Sequence, residues 1–206
     1  DRSACALVDD AALDALRGPG LRALRLAAAR RVTLPALERL LARGGGAQLR
    51  LLELSACALD GDAALRACAA RAPALEHLDV GDLAGADGGD GGASDGGALA
   101  LCASPCAPRL RALVLDGADA LTWRGATALR RGCRALVALS LVGCRGVGEA
   151  ALLDLVVELR SLRSLSLGRS IALSQRGRIV LLGALHSADR DPYASAGPRL
   201  ASPRPG

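Results

Sequence analysis

The sequence predicts an α/β solenoid, with a parallel sheet on its concave face and helices on its convex face. Three observations lead there. Leucines recur in the spacing L-x-x-L-x-L at an interval near 26 residues. A second apolar stripe with helical spacing follows each leucine group at constant offset. The core must also be built from Leu, Val, Ala and Cys, because aromatic residues make up 1% of the chain and Phe and Met are absent.

The leucine groups are Leu21/Leu24/Leu26, Leu49/Leu52/Leu54, Leu110/Leu113/Leu115, Leu136/Leu139/Leu141 and Leu162/Leu165/Leu167, with a variant at Leu75/Leu78/Val80. Each predicts a short strand, because alternation places the intervening residues on the opposite face. Their first leucines lie 28, 26, 35, 26 and 26 residues apart. Gly44-Gly45-Gly46 is expected to absorb the 28, and a Gly/Asp-rich insert at about 84–98 the 35. Counted from the last strand leucine, apolar residues fall at plus 11 (Leu37, Leu65, Ala126, Leu152), plus 14 (Leu40, Cys68, Leu129, Leu155, Leu181) and plus 18 (Cys133, Leu159, Leu185). Steps of three and four share one helical face, so each unit reads as strand, turn and amphipathic helix. Leu13 and Leu16 keep the register relative to Arg2, and Ser3–Leu7 copies Ser55–Leu59 at a spacing of 52, twice the common interval. The chain is therefore expected to begin partway through a repeat, inside a longer polypeptide. The last helix, from about Gln175 to Leu185, is expected to act as a modest cap. Residues 187–206 carry four prolines and read as a disordered tail.

Composition excludes several functions. The 206 residues contain no Lys, so all 26 basic residues are Arg, and phosphate-loop, kinase-type and Schiff-base lysines are ruled out. Absence of Lys, Asn, Phe and Met beside abundant Ala, Gly and Arg is the mark of a GC-rich coding sequence, so arginine abundance alone does not signal function. The net charge of +5 is spread among 21 acids without a basic block, which argues against nucleic acid as partner. No apolar run can span a membrane: the longest, 150–159, contains Asp154 and Glu158.

The segment Cys133-Arg-Ala-Leu136-Val-Ala-Leu139-Ser-Leu141-Val-Gly-Cys144 carries two cysteines flanking the leucines. Cys57 and Cys5 match the second of them, while Ala29, Leu83, Ala118 and Ser170 hold that place elsewhere. Over about residues 1–186 the chain resembles the cysteine-containing class of leucine-rich repeats. The resemblance implies a right-handed leucine-rich-repeat solenoid of about six strands. It further implies a non-catalytic protein-recognition role, as the substrate-binding arm of an F-box (SCF) ubiquitin-ligase adaptor in ubiquitin-dependent protein catabolism. Coupling to a cullin ligase would then run through a module outside this chain. The alternative is a ribonuclease-inhibitor-like regulator that inhibits an enzyme or activates a small GTPase, although those repeats usually run longer than 26 residues.

The predicted working surface is the concave face. Its partner-binding residues are expected to be Arg25, Leu51, Glu53, His77, Asp79, Val114, Asp116, Ser140, Ser164 and Ser166. No catalytic, cofactor-binding or metal-binding residue is predicted. His77 and His186 are the only histidines, and a catalytic set would need His77 to face a nucleophile such as Ser55. An odd count of seven cysteines without a secretion signal fits reduced thiols in the cytoplasm or nucleus. Cys102 and Cys106 lack the further ligands zinc needs, and Asp87, Asp90 and Asp95 lack calcium-loop spacing, so 81–97 reads as a mobile loop. Arg30, Arg31, Arg39, Arg43, Arg66, Arg71, Arg124, Arg130, Arg131 and Arg134 fall on a solvated outer surface. Trp123, the only tryptophan, either plugs a gap or presents an interaction anchor.

Overall fold

A computed structural model of the protein describes residues 7–16, 20–85, 91–168 and 171–186. Six three-residue strands, β1 (Ala23–Arg25), β2 (Leu51–Glu53), β3 (His77–Asp79), β4 (Ala112–Val114), β5 (Ala138–Ser140) and β6 (Ser164–Ser166), form one parallel sheet in chain order. They alternate with helices α1 (Asp10–Ala15), α2 (Leu34–Leu40), α3 (Gly61–Arg71), α4 (Asp95–Cys102), α5 (Trp123–Gly132), α6 (Glu149–Glu158) and α7 (Gln175–His186). Each strand lies beside the next, and each helix packs on the next. The order never reverses, so the sheet has no switch point of the kind where doubly wound folds bind nucleotides.

The middle residue of each strand faces the helices. Leu24, Leu52, Leu78, Leu113, Leu139 and Leu165 occupy one row of the register, and the first five are buried. Burying one such leucine contributes about 1.5–3 kcal/mol. Leu165, on the last strand, is only half-buried. The leucine that opens each group and the one that closes it complete a single core with Leu37, Leu65, Ala126, Leu129, Leu152 and Leu155 of the helices.

Backbone pairing continues beyond the strands. At the start of β2 to β6, two successive N–H groups share a carbonyl of the preceding unit: those of Glu76 and His77 meet Arg50, and those of Val137 and Ala138 meet Arg111. After each of β1 to β5, the residue two places past its last core residue turns into the left-handed region: Ala28, Ala56, Asp82, Gly117 and Gly143. The turn aims its N–H at the next unit, as Ala56 does to Gly81 at 3.0 Å and Gly117 to Val142 at 2.7 Å.

Three expectations need correction. The insert is not loop throughout 84–98, because residues 95–98 open helix α4 with Ser94 as its N-cap. Gly91 and Ala93 are buried against Gly61, whose N–H donates to the Gly91 carbonyl at 2.7 Å. The glycines there permit close backbone approach. Trp123 plugs no gap in the core: it opens α5 with 60% of its surface exposed. Helix α7 lays Leu181 and Leu185 against the core but exposes Ile179, Val180 and Leu182, so it lacks the polar outer face of a cap. Asp87, Asp90, Cys5, Ser170 and the 187–206 tail lie outside the described residues.

Candidate functional site

Because the middle leucine of every strand points to the helices, its two neighbours point the other way, where no described element covers them. Ala23, Leu51, His77, Ala112, Ala138 and Ser164 form one row, and Arg25, Glu53, Asp79, Val114, Ser140 and Ser166 the second. At strand spacing each row runs for about 24 Å. All ten residues expected at the working surface lie on this open face or, for Asp116, at its edge just beyond β4. Arg25, His77, Ser164 and Ser166 are exposed and the other six half-buried.

The second row carries a gradient of charge and polarity. Arg25 Nε meets Glu53 Oε1 at 2.9 Å, and Arg50 meets Glu76 at 3.3 Å at the start of the neighbouring strands. Beyond them Asp79, Asp82 and Asp116 border a notch of about 90 Å³ with Ser55 and Gly81. Burial pushes the Asp79 carboxyl above the usual aspartate range, and the Glu53 and Asp116 carboxylates add to the effect. The Gly81 N–H, at 2.9 Å, and the Ser55 hydroxyl oppose it. Asp116 accepts from Ser140 Oγ at 2.6 Å and from the Val142 N–H at 2.9 Å. The face then passes from acids to the small side chains of Val114, Ser140 and Ser166. Such a surface can take hydrogen-bond donors or cations at one end and a close-fitting backbone at the other.

His77 and Ser55 are not brought together. His77 pairs in register with Leu51, four residues upstream of Ser55, and the Ser55 hydroxyl bonds to Asp79. Among the described residues no group of three or more His, Cys, Asp or Glu side chains could hold a metal ion. The thiols have structural partners. Cys57 Sγ donates to the Leu26 carbonyl at 2.9 Å and Cys144 Sγ to the Leu115 carbonyl at 3.2 Å, the same bond between neighbouring units. Burial pushes the Cys144 thiol up to about 11 and the Cys68 thiol to about 12. Cys102, separated from Cys106 by three residues in sequence, lies instead beside Cys133, with sulfurs 3.8 Å apart.

A set of polar contacts that sequence reasoning missed joins successive helix N-termini. Asp10 accepts from the Thr33 N–H and hydroxyl, both at 2.7 Å. Asp62 does the same for Ser94 at 2.7 and 2.6 Å, and Asp95 for Thr122 at 2.8 and 2.6 Å. Glu149 takes Ser174 at 3.0 and 2.6 Å. In each clasp a carboxylate of one helix's first turn holds the N-cap of the next. A β-carbon on Gly97, Gly125 or Gly177, three residues past the hydroxyl, would strike the clasping carboxylate. Among the described residues two junctions show no clasp: Leu34 stands where the acid would face Gly61, and Trp123 where it would face Gly148. The signal in the sequence is an acid at plus 8 followed by Ser or Thr at plus 7 of the next unit, as in Glu149 and Ser174. The insert moves Ser94 and Asp95 out of these offsets, so the pattern emerges only when the insert is set aside.

The second concavity lies between α4 and α5. It is a groove of about 530 Å³ whose lining includes Leu99, Cys102, Trp123, Arg124 and Arg131. Among the described residues no helix is long and apolar enough to cross a membrane. No protein-family model matches the chain, and no curated protein matches it.

Proposed function

We propose that the chain is a right-handed leucine-rich-repeat solenoid of the cysteine-containing class and works as a non-catalytic protein-recognition module. In this reading it is the target-binding arm of an F-box-type ubiquitin ligase, acting in ubiquitin-dependent protein degradation in the cytoplasm or nucleus. The observation that carries the recognition role is the open face: six strands in chain order present two uninterrupted rows of outward residues that no described element covers. The equivalent thiol bonds of Cys57 and Cys144 support the repeat class, since both bridge to the unit before them. A parallel sheet built by stacking identical units leaves one face free for a partner. The link to a ligase rests on the sequence resemblance.

Affinity capture of the full-length protein tests the reading. Recovery of a cullin scaffold and its adaptor together with a target is expected. The doubly substituted Ser164→Arg/Ser166→Arg protein, which adds bulk at two exposed positions, should lose the target and retain the ligase subunits. Recovery of a small GTPase or a nuclease with no cullin would transfer the open face to an enzyme regulator and overturn the ligase assignment.

A further inference from the structure

We infer that the groove between α4 and α5 is a second docking site, facing away from the sheet. Its occupant is a short amphipathic helix of another protein that sets one large apolar side chain between two carboxylates seven residues apart.

The first observation is where Trp123 stands. Asp10, Asp62, Asp95 and Glu149 clasp the next helix; at the two remaining places α2 has Leu34, which packs against the core, and α5 has an indole outside it. Gly148 beyond it offers no hydroxyl to clasp, and 60% of the Trp123 surface is exposed. A site that departs from the rule governing its neighbours without an internal use for the change is where a functional demand is expected. Tryptophan and arginine are also the residues on which binding energy most often concentrates.

The second observation is the groove's shape. Leu99 of α4, 52% exposed, forms the opposite wall, while Ala103, Ala128 and Gly132 are small enough to let an apolar side chain descend between the helices. Two packed helices leave a furrow that accepts a third helix ridge-into-groove.

The third observation is charge, and it selects the occupant. Arg124 and Arg131 line the groove and, being seven residues apart on α5, share a face at a separation of about 10 Å. Among the described residues no carboxylate lies within ion-pair distance of either, whereas Arg130 between them reaches Glu158 and Arg66 of α3 reaches Asp62. The Arg124 guanidinium sits 5.5 Å from the centre of the Trp123 ring. Two cations two helical turns apart, flanking an apolar furrow, match two carboxylates at the same spacing on an incoming helix.

Trp123 is the chain's only tryptophan, so its emission reports on this groove alone. The intact chain is titrated with an Ala-rich helical peptide of about 15 residues. The peptide carries one Leu midway between two Glu set seven residues apart, and Gln and Lys versions serve as controls. The Glu peptide should blue-shift Trp123 emission saturably and bind about tenfold more tightly than the Gln peptide, with the preference shrinking at about 0.5 M salt. The Arg124→Glu/Arg131→Glu double variant, at exposed positions and checked for unchanged circular dichroism, should reverse the preference toward the Lys peptide. Equal binding of all three peptides, no binding of any, or a variant that still prefers Glu would overturn the inference. A blue shift that follows protein concentration alone would also overturn it, by assigning the groove to a second copy of the chain. Loss of the ligase reading would leave this result untouched, because none of the groove residues lies on the open face.

Discussion

Asp95 accepts three hydrogen bonds from the head of the next helix, from the Thr122 N–H and hydroxyl and from the Gly125 N–H. Asp95→Ala should therefore lower stability by about 1–3 kcal/mol, read from the urea midpoint. The loss should shrink in a Thr122→Val background, since the two residues share bonds. Asp79 behaves oppositely. Its folded carboxyl holds a proton to higher pH than the unfolded one, so the native state binds more protons and stability falls as pH rises through that range. Asp79→Asn should raise the urea midpoint at pH 7 and leave it nearly unchanged at pH 3, a sign that the open face carries charge at a cost to the fold. At Ala56, φ is +58°, a region that disfavours any residue with a β-carbon. Ala56→Gly relieves that strain but loosens the unfolded chain, for a net gain of up to about 1 kcal/mol. Gly117→Ala, at the equivalent turn, should lose about 1–2 kcal/mol.

The strands are three residues long, so no one strand holds its own place. Leu139 is 2% exposed and flanked in register by Leu113 and Leu165. Leu139→Asp puts a charge in that row and should abolish cooperative thermal unfolding; a variant that melts like the parent would mean the row is not the spine of the domain. This row was legible in the sequence because one physical demand, burial against a neighbour, repeats at a constant interval. Helix α4 was less so. Its opening Asp95-Gly96-Gly97 looks like loop composition, and what makes it a helix is non-local: the Asp62 carboxylate that holds Ser94 comes from 32 residues earlier. Trp123 was ambiguous for a related reason, since a large apolar residue in a Leu-rich repeat reads as core until the missing clasp is seen.

Across the whole molecule the open face was predictable residue by residue, because strand alternation fixes which side chains leave the core. The outer groove was not: it needs Leu99 and Trp123, 24 residues apart, brought to adjacent helices on either side of strand β4. Acid should weaken the assembly at its clasps. Burial alone would raise the Asp62 carboxyl, but the Ser94 hydroxyl, the Ser94 and Gly97 N–H groups and the Arg66 charge outweigh it and hold it low. The Ser174 hydroxyl and N–H hold Glu149 low as well. For both, the folded carboxyl releases its proton more readily than the unfolded one. Their stabilisation is complete above the ordinary values of 3.8 and 4.5 and disappears as pH drops through the lower folded ones. Hydrogen exchange at about pH 3 should show α4 and α7 losing protection relative to neutral pH. The unclasped junctions, α2 to α3 and α5 to α6, mark the chain into lengths of two, three and two helices. Stretched by its ends, it should part like a train with two slack couplings, the middle carriage holding longest.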